Sequence, residues 1–444
     1  MIMKNIKKKI YLSTINILCL FILTGCTREV NNRNMSIIVN GEEIKGNFTG
    51  TLVDKLANGE GNFTASIDDG GWIYTGNFEN NEIVGSGTLQ EYTYKFAILN
   101  NSFDVTYNGE CLNGLPNGKG IIQGEIDGKS FEYDGEFLQG DLSGNGNVEN
   151  YPYILSYENY EISGLYTGEM LNGELSGQGS FADIDNDIEY DYNGGWSEGK
   201  TSGSGHLTCS NYIVHFNDVD RTGTFDGETN NGMADGEGTF EAINDDKQKY
   251  VYTGEWRNGL FNGYGELKYV NPTEDIIDQI GTFTDGNFTP SPAEFMIYFS
   301  GSKNANFNVS KDTESFIKDN EIYFGEDAIT NYPSNLIQNV SYEEYAKKSY
   351  AYPQLFIEID CKVEGIWEYE RQTTISNTIT EIYGNIPGDL FADFEIIYFG
   401  ALPEVYSDAK LKVTGIPVAY GSMTNVLGGQ NACMFLLATQ IEVY

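Results

Sequence analysis

The chain has 444 residues, room for two or three domains, with 26 Lys and Arg against 65 Asp and Glu and only 2 His. A net charge of −39 argues against an electrostatic nucleic-acid binder or a reader of anionic lipid, and two histidines leave little for His-dependent catalysis. The 52 Gly and 31 Tyr point to strands joined by tight turns, and 40% hydrophobic residues rule out wholesale disorder.

Residues 1–25 read as a targeting segment, set aside before fold reasoning. "MIMKNIKKK" is basic and "IYLSTINILCLFIL" is apolar, but the run is interrupted by Ser13, Thr14 and Asn16. It also falls short of the roughly 20 residues a membrane span needs. "LTGC" at Leu23–Cys26 follows and resembles the lipobox of bacterial lipoproteins. That resemblance implies diacylglycerol on Cys26, cleavage just before it, and anchoring at the extracytoplasmic face of a bacterial, Gram-positive cell membrane. Two acyl chains hold firmly where one is marginal. Removing the four leader lysines leaves 22 basic against 65 acidic residues, a net charge of −43. Residues 26–43 are then expected to be a tether. Of the cysteines beyond Cys26, Cys111, Cys209, Cys361 and Cys433 are too few for a disulfide framework in a chain this long.

From residue 44 to 288 one pattern recurs: aromatic-x-Gly-x-(mostly apolar)-x-x-Gly-x-x-x-Gly-x-Gly. "YDGEFLQGDLSGNG" at Tyr133 and "YTGEWRNGLFNGYG" at Tyr252 are two of eight full copies, which open at Phe48, Tyr74, Tyr107, Tyr133, Tyr166, Tyr192, Phe225 and Tyr252. The middle Gly is replaced in two copies, by Lys55 and Asn81, and a truncated copy begins at Gln279. The pattern resembles the MORN repeat. Successive openings lie alternately 26 and 33 residues apart through Phe225, so the true unit is a pair of about 59 residues. Tyr94, Tyr153 and Tyr212 keep that period in the longer connectors.

Each copy reads as a β-hairpin. Tyr252, Gly254 and Trp256 alternate onto one face. Gly259 to Gly263 brackets the turn, and the return strand follows Gly265. One hairpin is marginal alone, whereas a stack buries a continuous aromatic stripe. The eight opening aromatics are therefore expected to be repeat core before they are a stacking platform for ligand. Longer extensions are expected along one edge at every second repeat. A concave groove flanked by Glu110, Glu136, Glu169, Glu228 and Glu255 is the best place for a peptide or a partner's loop. Pro290 and Pro292 mark a linker, 289–293.

"GGWSEGKT", Gly194–Thr201, fits the phosphate-cradling pattern G-x-x-x-x-G-K-[ST]. Its glycines keep the repeat register and no helix signal follows, so no nucleotide is expected. Asp183, Asp185 and Asp187 are spaced like calcium-loop ligands, but Ile188 replaces the turn glycine and Gly194 stands where the bidentate Glu belongs. An acidic turn is the expectation, with no resident metal and no cofactor. His206 and His215 are expected to be surface strand residues. MORN arrays precede the catalytic core of some phosphatidylinositol-phosphate kinases, yet the residues after Ser291 hold no His and no Gly-rich nucleotide loop.

Residues 294–444 lose the repeat. Ser341 and Glu344 form a capping box that predicts a helix over about 342–350. Five strand-like runs follow, "LFIEIDCKVEGIWEYE" to "CMFLLATQIEVY". With "VTGIPVAYG" before the last, they resemble the small OB-like barrels of some bacterial surface proteins. Cys361 and Cys433, on the first and last of these strands, would neighbour each other if such a barrel brought those strands together. With 9 Lys and Arg against 21 Asp and Glu from Ser291 on, this domain is a poor nucleic-acid groove.

The fold class expected is all-β, an elongated hairpin array followed by a small OB-like barrel with short helices. The function expected is a non-enzymatic, membrane-anchored surface lipoprotein that binds a protein or peptide partner, with neither nucleic acid nor nucleotide. The rivals are an envelope ligand- or glycan-binding accessory protein, and an enzyme factor with activity in the last domain.

Overall fold

The computed structural model describes residues 26–444 except 100, 127, 157–160, 185–188, 217, 273–275, 303, 326–327, 333–336, 339–340, 349–353, 389–392 and 425–428. The leader, 1–25, lies outside the described residues. A long antiparallel β array is followed by a closed five-stranded barrel with short helices. The chain forms two compact units. One holds the residues up to Tyr151 with Met170–Gly173, and the other holds Pro152–Glu169 with Glu174–Tyr444.

The hairpin at Tyr252 shows why this sequence folds as it does. Strand Lys249–Arg257 turns at Asn258–Gly259 and returns as Leu260–Tyr269. Both turn residues have positive φ, +50° and +81°. That is the mirror-image two-residue turn whose twist matches the strands it joins, and Asn-Gly fits it best. Lys55 and Asn81 occupy the same slot at φ +75° and +71° without being glycine. The return strand thus begins directly after the turn, at Leu260, and not beyond Gly265. Gly263, at φ +79°, sits inside that strand opposite a bulge between Gly254 and Trp256.

Gly254 faces Gly265 across the ladder. A Cβ on Gly265 would stand 2.5 Å from the Tyr252 ring, and one on Gly254 would stand 2.5 Å from the Cα of Gly265. The paired glycines form the hollow that receives the ring. The Tyr252 hydroxyl donates to the carbonyl of Glu255 at 2.7 Å. Tyr74, Tyr107, Tyr133, Tyr166 and Tyr192 donate in the same way to the carbonyl three residues on. All eight opening aromatics are 0–1% exposed. Each buried ring contributes on the order of 2 kcal/mol.

The glycines line up in rows. In the first unit Gly50, Gly61, Gly76 and Gly87 stand abreast on four strands. The next row is Gly109, Gly120, Gly135 and Gly146. The two rows are offset, because Gly87 faces Cys111 while Gly109 faces Leu89. That step falls where the long strand Glu82–Ile98 meets Asn101–Leu112. The second unit repeats the device, with Gly179, Gly194 and Gly205 before the step and Gly227, Gly238, Gly254, Gly265 and Gly281 after it. In the first unit four strands share a row before the chain steps sideways, which is the physical content of the 59-residue unit.

Hairpin tips are stitched to one another outside the ladder. Asn81 donates its amide to Ala57, Gly140 to Pro116, Gly199 to Leu175 and Gly259 to Ala234, at 2.8–3.1 Å. The connector tyrosines join in: the Tyr94 hydroxyl donates to Gly140 and Tyr153 to Gly199 at 2.8 Å.

Residues 26–43 are not a tether. Strand Thr27–Val39 pairs antiparallel with Glu42–Val53 across Asn40–Gly41, and Ile37 and Val39 are buried. "IIVNGEEI" carries the alternation and the Asn-Gly turn of one more hairpin. The 289–293 segment is likewise no loose linker. Thr289 and Ser291 are buried, and helix α1 (Pro292–Ser300) starts within it. Ser291 caps α1 in a capping box with Glu294, whose carboxylate also accepts from the Thr282 amide of the truncated repeat at 3.0 Å.

Helix α2 spans Lys311–Asp319 and α3 spans Tyr342–Lys348, the latter capped by Ser341 as expected. The barrel strands are Phe356–Glu370, Thr378–Asn385, Asp393–Phe399, Lys410–Thr424 and Gln430–Val443. Their order around the barrel is first, second, third, fifth, fourth and back to first, with third and fifth parallel. Cys361 and Cys433 are free and buried. The first strand pairs with the fourth and not with the fifth, so the two thiols are not brought together.

Candidate functional site

The array has two unlike faces. One carries the rings and is buried, while the other carries Thr, Ser, Asn, Glu and Asp and is open to water. On that polar face a trough lies over the backbone of one glycine row in each unit, while the side chains those glycines lack would point the other way, into the hollow that the rings fill. In the first unit the trough has a volume of about 1020 Å³ over Gly61, Gly76 and Gly87, walled by Glu60, Thr75, Ser86 and Thr88. In the second it is about 700 Å³ over Gly194 and Gly205, walled by Gln178, Asn193, Ser204 and His206.

These are the same site twice. Every residue of the second trough lies 118 positions, two 59-residue units, after one of the first. Gly76 corresponds to Gly194 and Gly87 to Gly205. Ser86 corresponds to Ser204, Thr88 to His206, and Glu110 to Glu228, which closes the end where the next row steps aside. Asn62 donates to Thr75 at 2.8 Å across the floor of the first trough, and His206 pairs with Asp226 at 2.7 Å beside the second. The lining is uncharged apart from scattered carboxylates, and it offers donors and acceptors at strand spacing. Such a surface suits an extended chain with its own regularly spaced amides or hydroxyls.

The motif glutamates do more than flank the trough. The Glu110 carboxylate accepts from the Lys119 amide at 3.0 Å, Glu228 from Glu237 at 3.1 Å, and Glu255 from Tyr264 at 3.2 Å. Each lies over its bulge glycine, and a Cβ at Gly118, Gly144, Gly177, Gly236 or Gly263 would strike Glu110, Glu136, Glu169, Glu228 or Glu255. The glutamate clamps the bulge, which explains the third motif glycine. Only Glu110 and Glu228 also line a trough.

The opening aromatics point away from the trough and offer it no ring. Burial pushes the Tyr74 phenol up to about 12, so that ring is neutral at physiological pH. Cys26 is exposed, and its amide donates to Asp54 at 3.1 Å beside the first array turn. "GGWSEGKT" is two strands joined at Glu198–Gly199. Gly199 packs against the Tyr153 hydroxyl, and Gly194 lies in the trough floor. His215 pairs with Asp220 at 2.9 Å and is exposed. Asp185 and Asp187 lie outside the described residues, and among the described residues no cluster of His, Cys, Asp and Glu is suited to a metal. The sequence points to the ring face and to a groove beside the motif glutamates, of which Glu110 and Glu228 line the troughs, but not to the Thr, Ser and Asn walls. The signal of the troughs was the glycine alignment across strands, visible only once the register is known.

The MORN repeat family matches this chain at residues 74–90, 166–188, 192–214 and 252–271. The chain therefore carries MORN repeats. The copies opening at Phe48, Tyr107, Tyr133 and Phe225 show the same paired glycines and mirror-image turns. No curated protein matches the chain.

Proposed function

We propose that this protein is a non-enzymatic scaffold that holds an extended segment of a partner protein along the polar face of its MORN array. The observation that carries this reading is the recurrence of one trough, residue for residue, after 118 positions. Two like troughs suit a partner with a repeated or extended segment, where each contact is weak and avidity supplies affinity. A body with a net charge of −39 favours cationic partners and repels nucleic acid.

The lipobox at Leu23–Cys26 supports an anchored surface lipoprotein, diacylated on Cys26 at the extracytoplasmic face of the membrane. Cys26 is exposed and abuts the first hairpin, so in this reading the array starts at the lipid headgroups. The barrel's strand order supports an OB-like identity, with the barrel as the array's terminal domain.

The test places a photo-crosslinking amino acid at Ser86 and at Ser204, both exposed trough residues. The result expected is a cross-linked peptide from one partner protein at both sites and none from a control at Thr253 on the same polar face. Cross-links to cell-wall glycan alone would favour the accessory-protein reading, and no cross-links at either site would overturn the trough as the binding face. Cys26→Ser is expected to release the protein from membranes on fractionation, and continued firm anchoring would refute the lipoprotein assignment.

A further inference from the structure

Away from the array, the outer face of the barrel holds a cavity of about 570 Å³ that the scaffold reading does not use. It is lined by Trp367 and Tyr369 of the first barrel strand, Glu381 and Tyr383 of the second, Glu395 of the third and Asn431 of the fifth. Its volume is that of a small-molecule site.

Two things about it are costly for the fold. Trp367 is 55% exposed, while Trp72, Trp196 and Trp256 are 3–4% exposed. Glu395 is 1% exposed, and its Oε1 has no hydrogen-bond partner. A buried carboxyl oxygen without a partner keeps its full desolvation cost. No described Lys or Arg makes an ion pair with Glu381 or Glu395. Asp393, next on the same wall, accepts from the Tyr383 hydroxyl at 2.7 Å, and Asn431 donates to that hydroxyl at 3.1 Å, so the second tyrosine is held in place.

We infer that this cavity binds the ammonium group of a small organic amine, with Trp367, Tyr369 and Tyr383 as an aromatic cage and the Glu381–Glu395 pair as its counter-charge. Aromatic faces attract a cation through the ring quadrupole, and a desolvated site strengthens that attraction. A carboxyl pair on the cavity wall supplies the charge that the rings lack. Burial, and then the hydrogen bond and charge of Glu381, push the Glu395 carboxyl well above the usual carboxylate range. An entering cation offers Oε1 the partner it is missing. An anion or a phosphate would meet the same carboxyls as repulsion, and a neutral sugar would leave their charge unanswered.

Trp367 is the one exposed tryptophan of the four, so intrinsic fluorescence reports on this cavity. The experiment titrates the intact protein with choline chloride, with n-butylammonium chloride, and with 3,3-dimethylbutanol, the neutral isostere of choline. Saturable quenching is expected with at least one of the two cations and not with the alcohol. Which cation saturates tells a quaternary from a primary ammonium. The response should vanish in Trp367→Ala and fall at least tenfold in affinity in the Glu381→Gln/Glu395→Gln double variant, with melting curves confirming that both fold. Trp367→Ala is a surface change and keeps the test decisive if the double variant fails to fold; its binding is read by calorimetry. Equal response to the alcohol, no saturable response to either cation, or unchanged calorimetric affinity in Trp367→Ala would overturn the assignment.

Discussion

A methyl group at Gly265 has nowhere to go. Its Cβ would stand 2.5 Å from the Tyr252 ring, and its backbone is extended, so Gly265→Ala acts through crowding alone. The cost expected is about 1–3 kcal/mol. Gly203 is the converse, with nothing within 4 Å of a Cβ but φ at +64°, so Gly203→Ala costs about 1 kcal/mol through backbone strain. Urea midpoints for the two variants separate the causes: Tyr252→Leu, which shortens the obstructing side chain, should rescue part of the first loss and none of the second. Glu395 makes a different kind of residue-level statement. Its folded pKa is raised, so above the ordinary carboxylate range the native state holds a proton that the unfolded chain has released. Stability at this site is therefore intact at acid pH and declines as pH rises from the unfolded pKa through the folded one. Glu395→Gln should abolish that decline, so the variant gains on the parent as pH rises above the ordinary carboxylate range. A stability difference that does not change with pH would show that Glu395 is ionised in the fold.

At the scale of the hairpin, the turn and the bulge carry the strain. Lys55 holds φ at +75°, where the other turns mostly place glycine. Lys55→Gly should stabilise the first array hairpin by about 1 kcal/mol, read as a rise in melting temperature. A fall would mean that the lysine side chain makes a contact worth more than the strain. Hairpins were legible in the sequence because the turn demands Asn-Gly or its like and the ring demands a glycine pair, and both demands leave letters at fixed spacing. The bulge was not legible. Gly263 and Glu255 are eight residues apart, and only the ladder shift between Gly254 and Trp256 brings them together. The first strand was missed because "TREVNNRN" is polar on both faces, as an edge strand can be. Helix α1 carries in Ser291 and Glu294 the same capping box that marks α3, but Pro290 and Pro292 around it also spell a domain boundary. The trough and the barrel cavity each draw on residues from several strands, so neither exists as a word in the chain.

Within the second unit, one cation sits at the junction of the last repeat and the barrel. Arg371, at the end of the first barrel strand, lies 4.3 Å from the Tyr298 ring centroid and 5.8 Å from those of Phe288 and Phe295. Phe288 closes the truncated repeat, while Phe295 and Tyr298 belong to α1. The same junction holds the buried Glu294 carboxylate, which accepts from Ser291 and from Thr282 at 2.9 and 3.0 Å, and the Thr374 amide donates to Pro290 at 3.3 Å. A repeat array is stable through neighbour contacts, and a terminal repeat needs a cap to cover its open ring face. At this end α1 and the barrel supply it, with the ring of Phe283 covered by Phe288 and Phe288 by Tyr298. Removing the cation should uncouple the two parts while sparing each. Arg371→Ala is expected to cost about 1–2 kcal/mol at the junction and to raise hydrogen exchange across 279–300 first, with barrel strands 393–399 and 430–443 unchanged. Arg371→Lys should recover only part, because an ammonium cannot stack a flat face on three rings. If exchange rises equally through the barrel, Arg371 is a barrel residue and the cap is held by Glu294 alone. If it rises nowhere, the aromatic packing suffices and the cation is incidental.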